Sequence, residues 1–199
     1  MNTKQRQRQV KPAEVRLDEL VTAAQALFLD KGVDATTVGD IVERAGVAKG
    51  TFYHYFNAKT DLLPALRERF THRFLERVSA AVEACGVDDW PGRLTAWFTS
   101  SLHAYQVDFQ LHDLVYAGHH HDRDNPDLDA VVGQVEAILR DGGDAGAWPV
   151  SDWQRLATMA YWSMHGLADA AIARGGVDSD ELGAFLSRRF LAMLRGVEN

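Results

Sequence analysis

Apolar residues recur at helical spacing along almost the whole chain, and the period-2 alternation of strands is scarce. Leu17, Leu20, Val21, Ala24, Leu27 and Phe28 fall at steps of three and four. They predict a helix that opens near Pro12 and stops at Gly32. Thr37 followed three residues later by Asp40 is a capping-box pattern, and Val38, Ile41 and Val42 supply the buried face of a short helix ending at Ala45-Gly46. A brief link leads to Lys49–Phe56, where Phe52 and Phe56 share an inner face. Asn57 is a cap for the next helix, which runs to about Ala84. Pro91 opens a helix to about Tyr105, and Phe109–Ala117 reads as a separate short one. Gly118–Asp127 is a polar break. Leu128–Arg140 is helical, and Asp141–Pro149, with three glycines and a proline, reads as a loop. Ser151–Arg174 and Asp178–Arg195 close the chain as two long helices separated by Gly175-Gly176.

The pattern therefore predicts an all-α fold, with an N-terminal three-helix helix-turn-helix domain over residues 1–66 and a helical bundle over 67–199. At 199 residues with 46% hydrophobic and 25% charged positions, the composition is that of an ordinary globular chain. The longest run without Asp, Glu, Lys or Arg is Leu94–Val107, 14 residues, well short of the roughly 20 a membrane helix needs. A single cysteine, Cys85, rules out a disulfide framework within one chain. The basic start lacks the apolar stretch of a secretion signal, so the expected compartment is the cytoplasm. The net charge of −7 hides an asymmetry: residues 1–60 hold 9 Lys/Arg against 7 Asp/Glu, a net +2 on an otherwise acidic chain. Lys4, Arg6 and Arg8 form a basic N-terminal arm suited to a DNA minor groove.

The stretch Ala35–Leu63, ATTVGDIVERAGVAKGTFYHYFNAKTDLL, resembles the N-terminal DNA-binding region of TetR/AcrR-family transcriptional regulators. The Thr-Val-x-Asp-Ile start, the Ala-Gly-Val turn, the Gly-Thr-Phe-Tyr run and the Phe-x-x-Lys close carry the likeness. One departure is Ala48, where many members have a serine cap. The resemblance implies a homodimer that holds palindromic double-stranded operator DNA, most often as a repressor, and releases it when a small molecule binds in the body. It also implies that positions matching Thr37, Lys49, Gly50, Thr51, Tyr53, Tyr55 and Lys59 serve DNA. Their chemistry agrees. Small and polar residues at the head of a recognition helix let its backbone approach base edges. Lysine reads guanine, and tyrosine hydroxyls hold phosphates. His54 joins them on geometry, since it lies on the outward side of the same helix.

All five tryptophans follow residue 89, mixed with polar groups. Apolar sites with a few placed polar groups suit small ligands. Trp97, Ser101, Tyr105, Phe109, Tyr116, Trp162 and His165 are the candidate effector residues, for an apolar or aromatic ligand. His119, His120 and His121 with Asp122 and Asp124 have metal-ligand chemistry, but adjacent side chains on a helix diverge. A solvated loop is the simpler reading, so no metal or other cofactor is assigned. A metal sensor using His119–His121 is the alternative. A metal-dependent hydrolase is a weaker one, because no nucleophile motif, phosphate loop or spaced ligand set accompanies the cluster. No catalytic residue is assigned, and the chain is expected not to be an enzyme. The last two helices are expected to form the dimer interface.

Overall fold

The structure, a computed structural model, describes residues 12–116, 125–149, 151–176 and 178–196. Among these the fold is all-α: eight α-helices and one short 3-10 turn, with no strand. The chain divides into two compact units, Met1–Arg67 and Glu68–Asn199. None of the described helices is long and apolar enough to cross a membrane.

In the first unit, α1 (Ala13–Lys31) ends at Gly32, whose φ of 83° suits a residue without Cβ. Helix α2 (Val38–Ala45) starts on the full capping box. The Thr37 hydroxyl accepts from the Asp40 N–H at 3.1 Å, and the Asp40 carboxylate accepts from the Thr37 N–H at 2.8 Å. Gly46 stops it in the left-handed region, φ 66° and ψ 29°. Helix α3 (Lys49–Tyr55) follows after two residues and starts from Ala48 without a side-chain cap. Leu20, Ala24, Ile41 and Phe52 are sealed from solvent between these helices. The next cap differs from the expected Asn57. It is Asp61 that accepts, from the Asn57 and Ala58 N–H groups, closing the 3-10 turn Lys59–Asp61 before α4 (Leu62–Glu83).

In the second unit, the expected break after Tyr105 is absent. Helix α5 runs from Trp90 to Tyr116 and bends at Asp108, which alone inside the helix has non-helical angles, φ −116° and ψ 19°. Its face carries Leu94, Trp97, Phe98 and Leu102, all fully buried, and it lies along α8 (Ser179–Arg195), with Phe98 meeting Phe190 at 5.1 Å. At that crossing a Cβ on Gly183 would strike Thr99, so only glycine lets the two backbones approach this closely.

Helix α6 (Pro126–Asp144) also departs from expectation, continuing through Asp141, Gly142 and Gly143, where a loop was expected. The glycines are there for packing. A Cβ on Gly142 would overlap the Trp148 ring, and one on Gly143 the Trp153 ring at the head of α7 (Trp153–Ala173). Trp148 is buried and its indole N–H donates to the Leu139 carbonyl at 2.7 Å, so the ring closes the end of the helix. Overpacking a filled core costs about 1–3 kcal/mol. Gly142→Val is therefore expected to lower the melting temperature by several degrees and to shift Trp148 fluorescence to the red, both measurable in one thermal scan.

Candidate nucleic-acid interface and effector cavity

Four aromatic residues follow one another in α3, and burial sorts them. Phe52 is fully buried, with Phe56 beside it at 5.6 Å. Tyr53 is 53% exposed and His54 is exposed. Because Phe52 faces inward, Lys49, Gly50, Tyr53 and His54 stand on the outer side, and Thr51 is half-buried. A Cβ on Gly50 would meet nothing within 4 Å. No packing in this unit requires a glycine there, and glycine weakens a helix by about 1 kcal/mol relative to alanine. The open space it leaves lies at the head of the exposed helix.

The remaining nominated residues have partners inside the unit. Tyr55 is half-buried and its hydroxyl donates to the Ala13 carbonyl at 3.0 Å, tying the end of α3 to the start of α1. The Lys59 ammonium donates to the carbonyls of Asp34 and Thr36 at 2.8 and 2.7 Å. It pins the loop that presents Thr37, and an ammonium has a third proton for another acceptor. Thr37 is exposed at the head of α2, with its hydroxyl in the capping box. The basic arm Lys4, Arg6, Arg8 lies outside the described residues.

Asp40 completes this edge. The Lys31 ammonium, 2.7 Å away, and then the Thr37 backbone N–H hold its pKa down at about 2, against an ordinary 3.8. A depressed carboxylate stabilises the folded state above its unfolded pKa and loses that contribution as pH falls toward the folded one. The first unit is thus expected to lose stability between about pH 4 and pH 2. In Asp40→Asn that part of the pH dependence should vanish in acid titrations followed by circular dichroism.

The second unit holds a cavity of about 60 Å³ walled by α4, α5, the start of α6 and α7. Of the nominated effector residues, Tyr105, Tyr116, Trp162 and His165 meet there. Trp97, Ser101 and Phe109 do not. Trp97 and Ser101 are fully buried higher on α5, Trp97 edge-on to Phe98 at 5.2 Å. Phe109 faces a separate shallow groove beside Asp169. His112, Tyr161 and Thr71, which the sequence reading does not name, also line the cavity. The spacing held that information: Tyr105, His112 and Tyr116 lie seven and four apart, and Tyr161 and His165 four apart.

The cavity is built of rings. His112 and His165 lie 5.1 Å apart, and Tyr105 sits 4.8 and 5.0 Å from them. Tyr161 stacks on His165 at 5.6 Å with 13° between the planes. Both histidines are 7% exposed. Asp169 organises one side: it accepts from the Tyr105 hydroxyl at 2.5 Å and lies 3.6 Å from His165 Nε2. Burial, and then that hydrogen bond, push the Tyr105 pKa upward. Tyr116 and Thr71 share a hydrogen bond of 2.8 Å. His119–His121 and their acidic neighbours lie outside the described residues, and among those residues no group of three or more His, Cys, Asp or Glu is placed to hold a metal ion.

A family model described as bacterial regulatory proteins, tetR family, matches residues 20–66, the stretch from within α1 to the start of α4. Over these residues the chain is similar to the tetR family of bacterial regulatory proteins. The transcriptional repressor KstR2 of Mycolicibacterium smegmatis is 40% identical over 55 residues, which are 28% of this chain and 27% of that protein. The chain spans less than half the length of the curated relatives it matches, 32%, 27% and 30% of the first three. Solved structures extend the likeness to the whole fold. A Rhodococcus sp. RHA1 protein of unknown function superposes with a TM-score of 0.79 at 22% identity, covering 96% of this chain and 100% of that one. FadR of Bacillus subtilis in complex with stearoyl-CoA gives 0.70 at 18% identity, covering 92% and 100%.

Proposed function

We propose that the chain is an effector-responsive, DNA-binding transcriptional regulator: a homodimeric repressor that grips a palindromic operator and lets go when a small apolar or aromatic molecule binds. The observation that carries this is the sorting of α3. A buried Phe52 forces Lys49, Gly50, Tyr53 and His54 outward on a short helix inside the stretch that matches the family. The exposed Lys49 reads guanine edges or phosphate, the bare Gly50 lets backbone approach bases, and Tyr53 reaches phosphate. Thr37 and the third proton of Lys59 add phosphate contacts, while Tyr55 works by holding α3 against α1. Thr51 offers a hydroxyl and a methyl to the adjoining base.

Apolar surface on the last two helices supports the homodimer. Met159, Trp162 and Leu167 on α7 and Phe185 and Met193 on α8 are 37–51% exposed. Large exposed apolar side chains on adjacent helices favour a partner, and a second copy of the chain is the simplest one. Trp162 belongs to this surface and to the cavity wall at once. Occupancy of the cavity then bears on the same residue that faces the mate. An effector shifts the DNA-binding state only by its differential affinity for the two states, typically about 1–3 kcal/mol.

The test uses two variants chosen to spare the fold. Lys49→Ala should lower the slope of log affinity against log salt by about one on any duplex, as loss of one phosphate-neutralising cation predicts. Gly50→Ala should raise the melting temperature slightly, because alanine is the better helix former. It should also weaken operator binding about tenfold or more, as a blocked approach to the bases predicts. Unchanged salt slope and unchanged affinity in both would overturn the reading of α3.

A further inference from the structure

We propose that the cavity takes a compact, uncharged ring compound bearing a hydrogen-bond acceptor, and that it rejects long-chain acyl thioesters. The proposal rests on the reading of this cavity as the effector site.

Three features of the wall lead to it. The first is charge. No lysine or arginine is among the described lining residues, while Asp127 lines the cavity and Asp169 stands behind Tyr105 and His165. An anion buried here would find carboxylates and, among the described residues, no lysine or arginine, and burying a charge without a counter-charge is costly. The second is shape. A cavity volume of about 60 Å³, at about 10–15 Å³ for each water on this measure, holds a handful of waters and falls far short of an alkyl chain of a dozen or more carbons. A planar ligand satisfies the offset and edge-on geometry that Tyr161, His165 and Tyr105 already show among themselves.

The third feature is an unused donor. The Tyr105 hydroxyl is committed to Asp169, and Tyr116 and Thr71 are committed to each other. The Tyr161 hydroxyl makes no hydrogen bond among the described residues, although Tyr161 lines the cavity. Burial, followed by the nearby Asp169, pushes its pKa up to about 12, so it stays protonated and remains a donor at any physiological pH. A ligand carbonyl or ether oxygen completes it. An alkyl chain would cover the hydroxyl and leave it unpaired, the situation from which sites of this kind draw their strongest discrimination.

The experiment compares acetophenone, its near-isostere ethylbenzene, benzoate and stearoyl-CoA on the full chain. Binding is read from tryptophan fluorescence and from release of a bound duplex. Acetophenone should bind with a Kd on the order of 1 mM, as suits a fragment of this size. Ethylbenzene and benzoate should bind at least about tenfold more weakly, the cost of the missing acceptor or the added charge. Stearoyl-CoA should leave the signal unchanged. Tyr161→Phe keeps the stacked ring and should melt like the parent. It should lose about tenfold in acetophenone affinity with no change for ethylbenzene, as loss of one hydrogen bond predicts. Equal binding of acetophenone and ethylbenzene, an indifferent Tyr161→Phe, failure of all four compounds, or saturable binding of stearoyl-CoA would each overturn the ligand class. Acetophenone that binds as predicted yet never alters duplex affinity would instead overturn the effector reading and leave the ligand class standing.

Discussion

The burial of one ring, Phe52, fixes what the first unit can do. A helix of seven residues has little stability of its own, since isolated helices shorter than about 12 residues are marginal in water. Helix α3 exists because Phe52 is sealed against α1 and α2, and a fully buried phenylalanine sets the rotation of the helix that carries it. With that rotation set, the positions one before and one after Phe52 are spread around the remaining face. The outward display of Lys49, Gly50, Tyr53 and His54 is therefore a consequence of core packing. The hydrogen bond from Tyr55 to Ala13 and the double grip of Lys59 on the loop before Thr37 add fixed points at the two ends of the same surface. Pre-positioned contact groups lose less entropy on binding.

The second unit follows a different logic. Its apolar helices approach closely enough to favour glycine at Gly142 under Trp148, Gly143 under Trp153 and Gly183 against Thr99. Trp97, Phe98 and Leu102 are fully buried there together with Ser101. One turn below Ser101 the same face of α5 changes character. Tyr105, His112 and Tyr116 bring hydroxyls and imidazole into a region that must satisfy them, and Asp169 and Thr71 do so in part. A cavity forms where polar rings replace aliphatic chains, because such groups are oriented by their partners and do not collapse into the remaining space. Among the described residues no acceptor meets the Tyr161 hydroxyl.

Most of the fold was legible in the residues. Stripes at steps of three and four located α1, α2, α3, α7 and α8 to within two or three residues, and the Thr37–Asp40 pair marked the start of α2. The failures share one cause, long-range packing that overrides local preference. Gly142 and Gly143 read as helix breakers, yet they lie inside α6 because rings from Trp148 and Trp153 need the room. Two helices were expected, one ending near Tyr105 and one over Phe109–Ala117, yet α5 only bends at Asp108. The rings that line the cavity were legible in kind and less so in place. Composition pointed to an aromatic cavity in the body, and four of the seven nominated side chains meet in it. It did not say at which height along α5 the core would stop and the cavity begin, since that depends on which turns of α6 and α7 lie opposite.

The central claim is that this chain reads a specific DNA sequence as a dimer, through two copies of α3. Selection of duplexes from a random pool by the purified protein, at about 0.15 M salt where non-specific phosphate contacts are weakened, tests it most directly. The account predicts enrichment of an inverted repeat whose half-sites lie about one helical turn apart, matching two recognition helices related by a two-fold axis. An enriched site without two-fold symmetry would contradict the dimer. A pool that stays random after repeated rounds would contradict the assignment of α3 as a reading helix.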